Sequence, residues 1–372
     1  MQALKQQWIN QLASRKAQHT YRSLTPYSPG IDFRSNDYLG LAKDIQFSEL
    51  LLEQISSQAD CLQGSTGSRL ISGNSALAED IESFIAREHE AAAALFFSSG
   101  YKANLALFSC MLSRADTLIV DEYIHRSVHD GCQLSAARKW KFRHNDVDHL
   151  ESLLQKASGN VVVAIESLYS VDGNFAPLTA IVRLTQKYNA GLIVDEAHAM
   201  GVFGKGLVHQ YGLQQEVLAT VVTYGKAMGL EGAVVLGDQV LKDYLVNYAS
   251  PFIYSTAPSA LHLLRIQCAY QYIAAQQHLA ITLSSRIEFF STFRLHKGSE
   301  PGSPIQIIRF SNTHALLNLH LELKKHGLLT YPLFSPTVAE GQERLRICLH
   351  SFNTEEEINA LCSIIKKYAY VT

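Results

Sequence analysis

The chain has no long run of like charge. Its 32 basic and 34 acidic side chains leave a formal net charge of −2 over 372 residues, and without a basic cluster a nucleic-acid partner is not expected. No C-x-x-C pair occurs. The six cysteines (Cys61, Cys110, Cys132, Cys268, Cys348 and Cys362) are scattered, which argues against a zinc site or a disulfide scaffold and fits a reducing compartment. G-x-G-x-x-G and the Walker loop are both missing, so nothing supports nucleotide binding. The most apolar early stretch, AAAALFF at 91–97, is far too short to span a bilayer. The opening residues, MQALKQQWINQLASRK, lack the apolar core of a signal peptide. There is no internal repeat and no low-complexity linker. A soluble cytoplasmic protein, with no metal and neither membrane nor nucleic acid as partner, is the expectation.

What is present is an ordinary globular composition, 47 % hydrophobic and 18 % charged. The length suits one large domain plus a smaller one. Residues 1–24 read as helical, with Leu4, Trp8 and Leu12 at four-residue spacing. Pro26, Pro29 and Gly30 then break the helix. ALAEDIESFIAREHE (76–90) reads as an amphipathic helix with Ser75 as N-cap. Beyond it come AAALFF (92–97), a helical stretch over about 102–113, TLIVD (117–121), VVVAIE (161–166), GLIVDE (191–196), TVVTY (220–224) and GAVVLG (232–237). These runs are apolar without in/out alternation, as strands buried on both faces of a mostly parallel sheet must be. Helical segments between several of them predict α/β topology. After about 255 the pattern changes to a long helix (258–277), then IQIIRF and RLRICL with a helix between. The expected layout is an N-terminal helix and arm over 1–35, a large α/β domain over 36–255 and a smaller α+β domain over 256–372.

In an open α/β sheet, ligands bind at the carboxyl ends of the strands. The polar residues that follow the apolar runs are therefore the candidates. GLIVDEAH puts Asp195 at a strand end and His198 three residues on. The plain alternative is a turn-capping aspartate and a core histidine; the functional one is a carboxylate for a protonated heterocycle nitrogen, with an imidazole beside it. TVVTYGKAMG delivers Lys226 between Gly225 and Ala227. Most lysines are solvated surface charges, but one flanked by small residues at this edge can be desolvated, which makes its amine nucleophilic toward carbonyls. Ser98-Ser99-Gly100-Tyr101 joins a strand to a helix, where free amides suit a phosphate. DEYIHRSVHDG offers His125, which locally is no more than a loop histidine. A phosphate cradle, an acid for a pyridinium, an amine for an aldehyde and a flat ring to stack together describe pyridoxal 5'-phosphate (PLP).

At these residues the sequence resembles the α-oxoamine synthases, PLP enzymes of fold type I. The matching segments are RSNDYLGLA (34–42), GSTGSRLISGN (64–74), FFSSGYKAN (96–104), HNDVDHLE (144–151), ESLYSVDGNFAPL (166–178), IVDEAHAMGVFGKGL (193–207), TYGKAMG (223–229), FIYSTAPS (252–259) and PTVAEGQERLRICL (336–349). GSTGSRLISGN and HNDVDHLE look most like the biotin-pathway branch. The resemblance implies a decarboxylative condensation of an amino acid with an acyl thioester in a homodimer with shared sites. It implies that Lys226 holds PLP as a Schiff base, that Asp195 keeps the pyridine nitrogen protonated, that His198 contacts the phenolic oxygen and that His125 stacks on the ring. Gly100, Tyr101 and Thr223 would serve cofactor and phosphate, with Thr256 supplied across the dimer. Glu166 and Ser170 would lie near the cofactor. Asn36 and Arg346 would meet the amino acid, Arg346 as a bidentate carboxylate clamp. Arg22 and Thr337 would meet the acyl substrate. Arg344 and Arg346 alternate on RLRICL and should share a face of one strand, and the residues alone do not choose between them.

Two departures stand out. The stretch from Pro26 to Phe33 is short where relatives carry a longer hairpin, and Glu231 stands where relatives carry a small residue. Three other readings keep all or part of this chemistry: an α-oxoamine synthase of another branch, using glycine, serine or threonine-derived substrates, a PLP aminotransferase, and a non-catalytic partner subunit. Retention of Lys226, Asp195, His125 and His198 speaks against the last.

Overall fold

The computed structural model describes residues 1–17, 20–24, 26, 29–57, 59–295, 298–310, 313–335 and 338–369. Seven strands form the central sheet: β1 (Ala93–Phe97), β2 (Thr117–Asp121), β3 (Arg138–Phe142), β4 (Val161–Glu166), β5 (Gly191–Asp195), β6 (Ala219–Thr223) and β7 (Ala233–Gly237). Their order is β1-β7-β6-β5-β4-β2-β3. Only β7 runs against its neighbours; β3, β2, β4, β5 and β6 are parallel. Every residue of β1 and β2 is buried, as the unbroken apolar runs demand. The architecture is therefore the mostly parallel α/β sheet read from the sequence. The edge strand β3, RKWKF, escaped that reading because its charged residues face solvent.

Helices depart from expectation mainly at their ends. The first, α1 (Gln2–Ala17), stops well short of residue 24 and buries none of its residues. Leu4, Trp8, Ile9 and Leu12 stay exposed, so its apolar stripe has no partner within the described chain. Next, α2 (Ala76–Glu88) begins at the Ser75 cap, whose hydroxyl accepts from the amide of Ala78. The third, α3 (Gly100–Cys110), starts two residues earlier than the periodicity suggested, because Ser99 accepts from the amide of Lys102 and closes the first turn. The long helix α4 (Ala260–Ala275) is followed by a further helix, α5 (His278–Thr292), which the sequence pattern had not separated.

A second, antiparallel sheet contains β8 (Ile305–Arg309), β9 (Tyr331–Leu333) and β10 (Arg344–Cys348), in the order β9-β10-β8. A two-residue parallel pairing of Ile31–Asp32 with Leu328–Leu329 ties the N-terminal segment to this part. One apolar core runs from Phe33 and Tyr38 through Tyr224 and Leu263 to Leu345 and Ile365, joining both sheets.

Behind β1, Glu82 is fully buried. It accepts from Arg69, Lys242 and the amide of Phe96, with Lys242 Nζ at 2.9 Å. Removing one partner of such a buried cluster leaves uncompensated charge. Glu82→Ala should therefore cost about 3–5 kcal/mol in a urea titration, against well under about 1 kcal/mol for an ordinary surface substitution.

Candidate active site

Pairing register brings the chemistry to one place. Glu166 and Asp195 are direct partners at the ends of β4 and β5, and Asp195 lies opposite Val221 of β6. From the end of β6 the chain turns through Gly225 and Lys226 before returning as β7. The turn needs Gly229, whose φ is +62° and where a Cβ would come within 2.5 Å of the amide of Ala42. Gly100, Tyr101, Asn104, His125, Glu166, Asp195, Ala197, His198, Thr223 and Lys226 then enclose a cavity of about 200 Å3.

Lys226 is desolvated there. Burial pushes its amine below the ordinary lysine range, Asp195 and Glu166 pull it back up, and Arg346 depresses it further. Asp195 is nearly buried, accepting from Asn104 Nδ2 at 2.8 Å and from the amide of Ala197 at 2.9 Å. No ion pair among the described residues involves it. Glu166 accepts from the amide of Ser170 through Oε2, while Oε1 is buried and has no hydrogen-bond partner among the described residues. Burial, reinforced by Asp195, pushes Glu166 up to about 8.

His125 caps the helix over 126–134. Its Nδ1 accepts from the amide of Ser127 and lies 2.7 Å from the Ser127 hydroxyl. Desolvation lowers its pKa against the opposing pull of Asp195. His198 is buried. Desolvation, with Lys226, Arg346 and His125 nearby, holds it well below the usual imidazole range. The Tyr38 hydroxyl sits 2.7 Å from its Nδ1. Thr223 donates to the carbonyl of Gly232, and the side chain of Tyr101 turns out to Asp130.

Beside this cleft lies a second group. Arg346 is buried. Its Nε donates to the carbonyl of Ser170 at 2.8 Å, one Nη to Asn36 Oδ1 at 3.0 Å and the other to Cys348 Sγ at 3.0 Å. All three acceptors are neutral, and no carboxylate is in ion-pair distance among the described residues. Arg344, two residues away on the same strand, instead pairs with buried Asp172. Of the two alternating arginines, only Arg346 offers an uncompensated cation.

The sequence candidates thus divide. Gly100, Tyr101, His125, Glu166, Asp195, His198, Thr223 and Lys226 share one cavity, and Asn36, Ser170 and Arg346 form the adjoining cluster. Thr256 does not join them. It lines a separate cavity of about 230 Å3 with Arg69, Ser98 and His262, so the Ser98–Gly100 turn separates the two spaces. Arg22 is exposed and outside the cleft lining, and Thr337 lies outside the described residues. Glu231 is exposed and pairs with His262 and Arg265, lining the Thr256 cavity and not that of Lys226. Sequence reasoning missed Asn104, Ser127 and Tyr38. The first stands one turn after Gly100 on α3, the second two residues after His125 and the third inside RSNDYLGLA, and those positions were the available signals.

The donor set fits PLP. Ser99 caps the amide of Lys102, so the first-turn amides at Gly100 and Tyr101 remain for a phosphate. Asp195 lacks a cation that a pyridinium would supply, and Lys226 has the desolvated amine an aldehyde requires.

Glu166 makes the cofactor-free protein sensitive to pH. Between about 4.5, its ordinary value, and about 8, the folded chain holds a proton that the unfolded chain releases. Stability from this group is present below that window and is lost as pH rises through it. Glu166→Gln, which mimics the neutral acid, should raise the melting temperature of cofactor-free protein at pH 8 and leave it nearly unchanged at pH 4.5. Equal effects at both pH values would contradict the assignment.

Comparison with known proteins gives the same picture. Residues 28–365 match the family described as aminotransferase class I and II. An 8-amino-7-oxononanoate synthase of Emericella nidulans is 36 % identical over 368 residues, covering 91 % of this chain and 89 % of that protein. The enzyme of the same name from Marinobacter nauticus is 36 % identical over 346 residues, covering 91 % and 86 %. Among solved structures, 8-amino-7-oxononanoate synthase of Francisella tularensis superposes with a TM-score of 0.79 at 27 % identity, covering 92 % of this chain and 98 % of that one. Serine palmitoyltransferase of Sphingomonas wittichii shares the fold, with a TM-score of 0.83 at 23 % identity over 92 % and 88 %. The chain belongs to the α-oxoamine synthases, within the class I and II aminotransferase family, and is a PLP-dependent acyltransferase of fold type I.

Proposed function

We propose that the chain condenses L-alanine with a pimeloyl thioester, on coenzyme A or a carrier protein, releasing CO2, free thiol and 8-amino-7-oxononanoate for biotin synthesis. The observation that carries this reading is Arg346, a buried guanidinium surrounded by neutral acceptors next to a desolvated amine. Such a cation fits the carboxylate of an amino acid whose α-carbon must lie near Lys226. The choice of alanine and of the pimeloyl chain is supported by the relatives' names at 36 % identity.

PLP, when bound, supplies an electron sink for charge that develops at the substrate α-carbon. The chain's own residues do the rest. Asp195, oriented by Asn104, holds a proton at the ring nitrogen. Gly100 and Tyr101 present amides to the phosphate, and His125 offers a flat face for stacking. Arg346 holds the substrate carboxylate, with Asn36 and the carbonyl of Ser170 fixing the guanidinium plane. Lys226, whose amine desolvation shifts toward the neutral form, is the base that takes the α-proton and later returns one. His198 polarises the keto oxygen as CO2 departs. Exclusion of water by the buried strand ends strengthens each of these interactions.

The second subunit of a homodimer completes this proposal. Thr256, with Ser98 and Arg69, faces a cavity of its own, and α1 leaves Leu4, Trp8, Ile9 and Leu12 uncovered. Both features suit a partner chain, with Thr256 reaching toward the partner's cofactor phosphate. No helix among the described residues is long and apolar enough to cross a membrane.

A thiol-release assay with pimeloyl thioester against alanine, glycine and serine, with product mass, tests the reading. Alanine should give the highest rate and the mass of 8-amino-7-oxononanoate. A preference for glycine or serine, or keto-acid consumption without thiol release, would overturn it. Arg346→Lys should lower kcat/KM for alanine roughly ten- to hundred-fold, since a hydrogen bond to a charged group contributes about 1.5–3 kcal/mol.

A further inference from the structure

Tyr38 is wholly buried; its single hydroxyl lies between two acceptors, one nitrogen and one oxygen, with the Arg346 guanidinium and the Cys348 thiol also against it. Nδ1 of His198 is 2.7 Å away and Oδ1 of Asn36 is 3.3 Å away. The phenol has one proton to give. If it goes to Nδ1, the imidazole carries its own proton on Nε2. If it goes to Asn36, Nδ1 must be protonated and Nε2 becomes an acceptor. The two outcomes give His198 opposite hydrogen-bonding character where its ring lines the cleft.

Geometry decides between them. The contact to Nδ1 is shorter by 0.6 Å, the difference between 3.3 and 2.7 Å. Asn36 Oδ1 already accepts a charge-assisted bond from Arg346 at 3.0 Å, and the Cys348 thiol points to the same oxygen at 3.8 Å. His198 cannot escape the choice by taking a second proton, because it is buried and faces Lys226, Arg346 and His125. We propose that Tyr38 is a positioning residue that donates its proton to Nδ1 of His198 and so fixes His198 as the Nε2–H tautomer, a hydrogen-bond donor toward the cofactor cleft. Asn36 and Arg346 hold this arrangement by occupying the competing acceptor. This role rests on the reading that His198 faces the cofactor's phenolic oxygen and the keto oxygen of the substrate.

The test uses holoenzyme labelled with 15N-histidine. The resonances of His198 are identified by their loss in His198→Gln. In wild-type protein the His198 nitrogens should show a protonated Nε2 and a hydrogen-bonded, unprotonated Nδ1. A protonated Nδ1 in wild-type protein overturns the proposal without any further variant. Tyr38→Phe keeps the buried ring and removes the donor, so the tautomers should mix or reverse, and an unchanged Nε2–H signal overturns the proposal. In the same variant the pH midpoint of the bound cofactor's visible absorbance should move upward by about one unit, because a donor to an anionic oxygen has been weakened. A midpoint that stays in place likewise counts against the role. None of these readouts uses turnover or an acyl substrate. A wrong choice of amino acid or thioester would show only in the thiol-release panel and leave the Tyr38 result standing.

Discussion

Desolvation of one amine organises this molecule. Lys226 lies at the partly buried end of the sheet, and desolvation shifts it toward its neutral form against the pull of Asp195 and Glu166. At the neighbouring strand end, burial, reinforced by Asp195, pushes Glu166 up to about 8. Asp195, beside it, accepts from Asn104 and from the amide of Ala197. Pairing register is what sets the two side chains next to one another, since a shift of one residue in β4 would turn Glu166 to the other face.

The substrate side is built differently. Arg346 comes from the second sheet, Ser170 from the loop after β4 and Asn36 from the N-terminal segment. Three distant stretches of chain therefore meet at one guanidinium, and the neighbouring Arg344–Asp172 pair holds the same loop to the same strand. The Lys226 cleft is carried by the strand ends of the central sheet, whereas the proposed carboxylate receptor depends on how the two sheets are joined. The continuous core running through Phe33, Tyr38, Leu345 and Ile365 makes that junction a packed one.

Much of this was legible before any coordinates, for a definite reason. Apolar runs buried on both faces announce themselves, and the strand-end rule picks out Asp195, whereas Glu166 and Thr223 are named only by the family resemblance. Lys226 also follows from the strand-end rule. The partners that tune these groups were not legible. Asn104 and Ser127 reach the cleft through the orientation of two helices, and Tyr38 meets His198 across 160 residues of chain. Neither arrangement leaves a local pattern. The residues alone do not choose between Arg344 and Arg346; the resemblance names Arg346, and the pairing of Arg344 with Asp172 supplies a tertiary reason. Strand β3 hid behind its exposed charges, and α1 was drawn too long because its apolar spacing says nothing about where packing ends.

Reduction of the holoenzyme with borohydride, followed by digestion and mass mapping, addresses the claim on which everything else stands. The account predicts one pyridoxyl adduct per chain, on the peptide containing Lys226, and none in Lys226→Ala. An adduct on another lysine, or no adduct in wild-type protein that retains its cofactor absorbance, would contradict it.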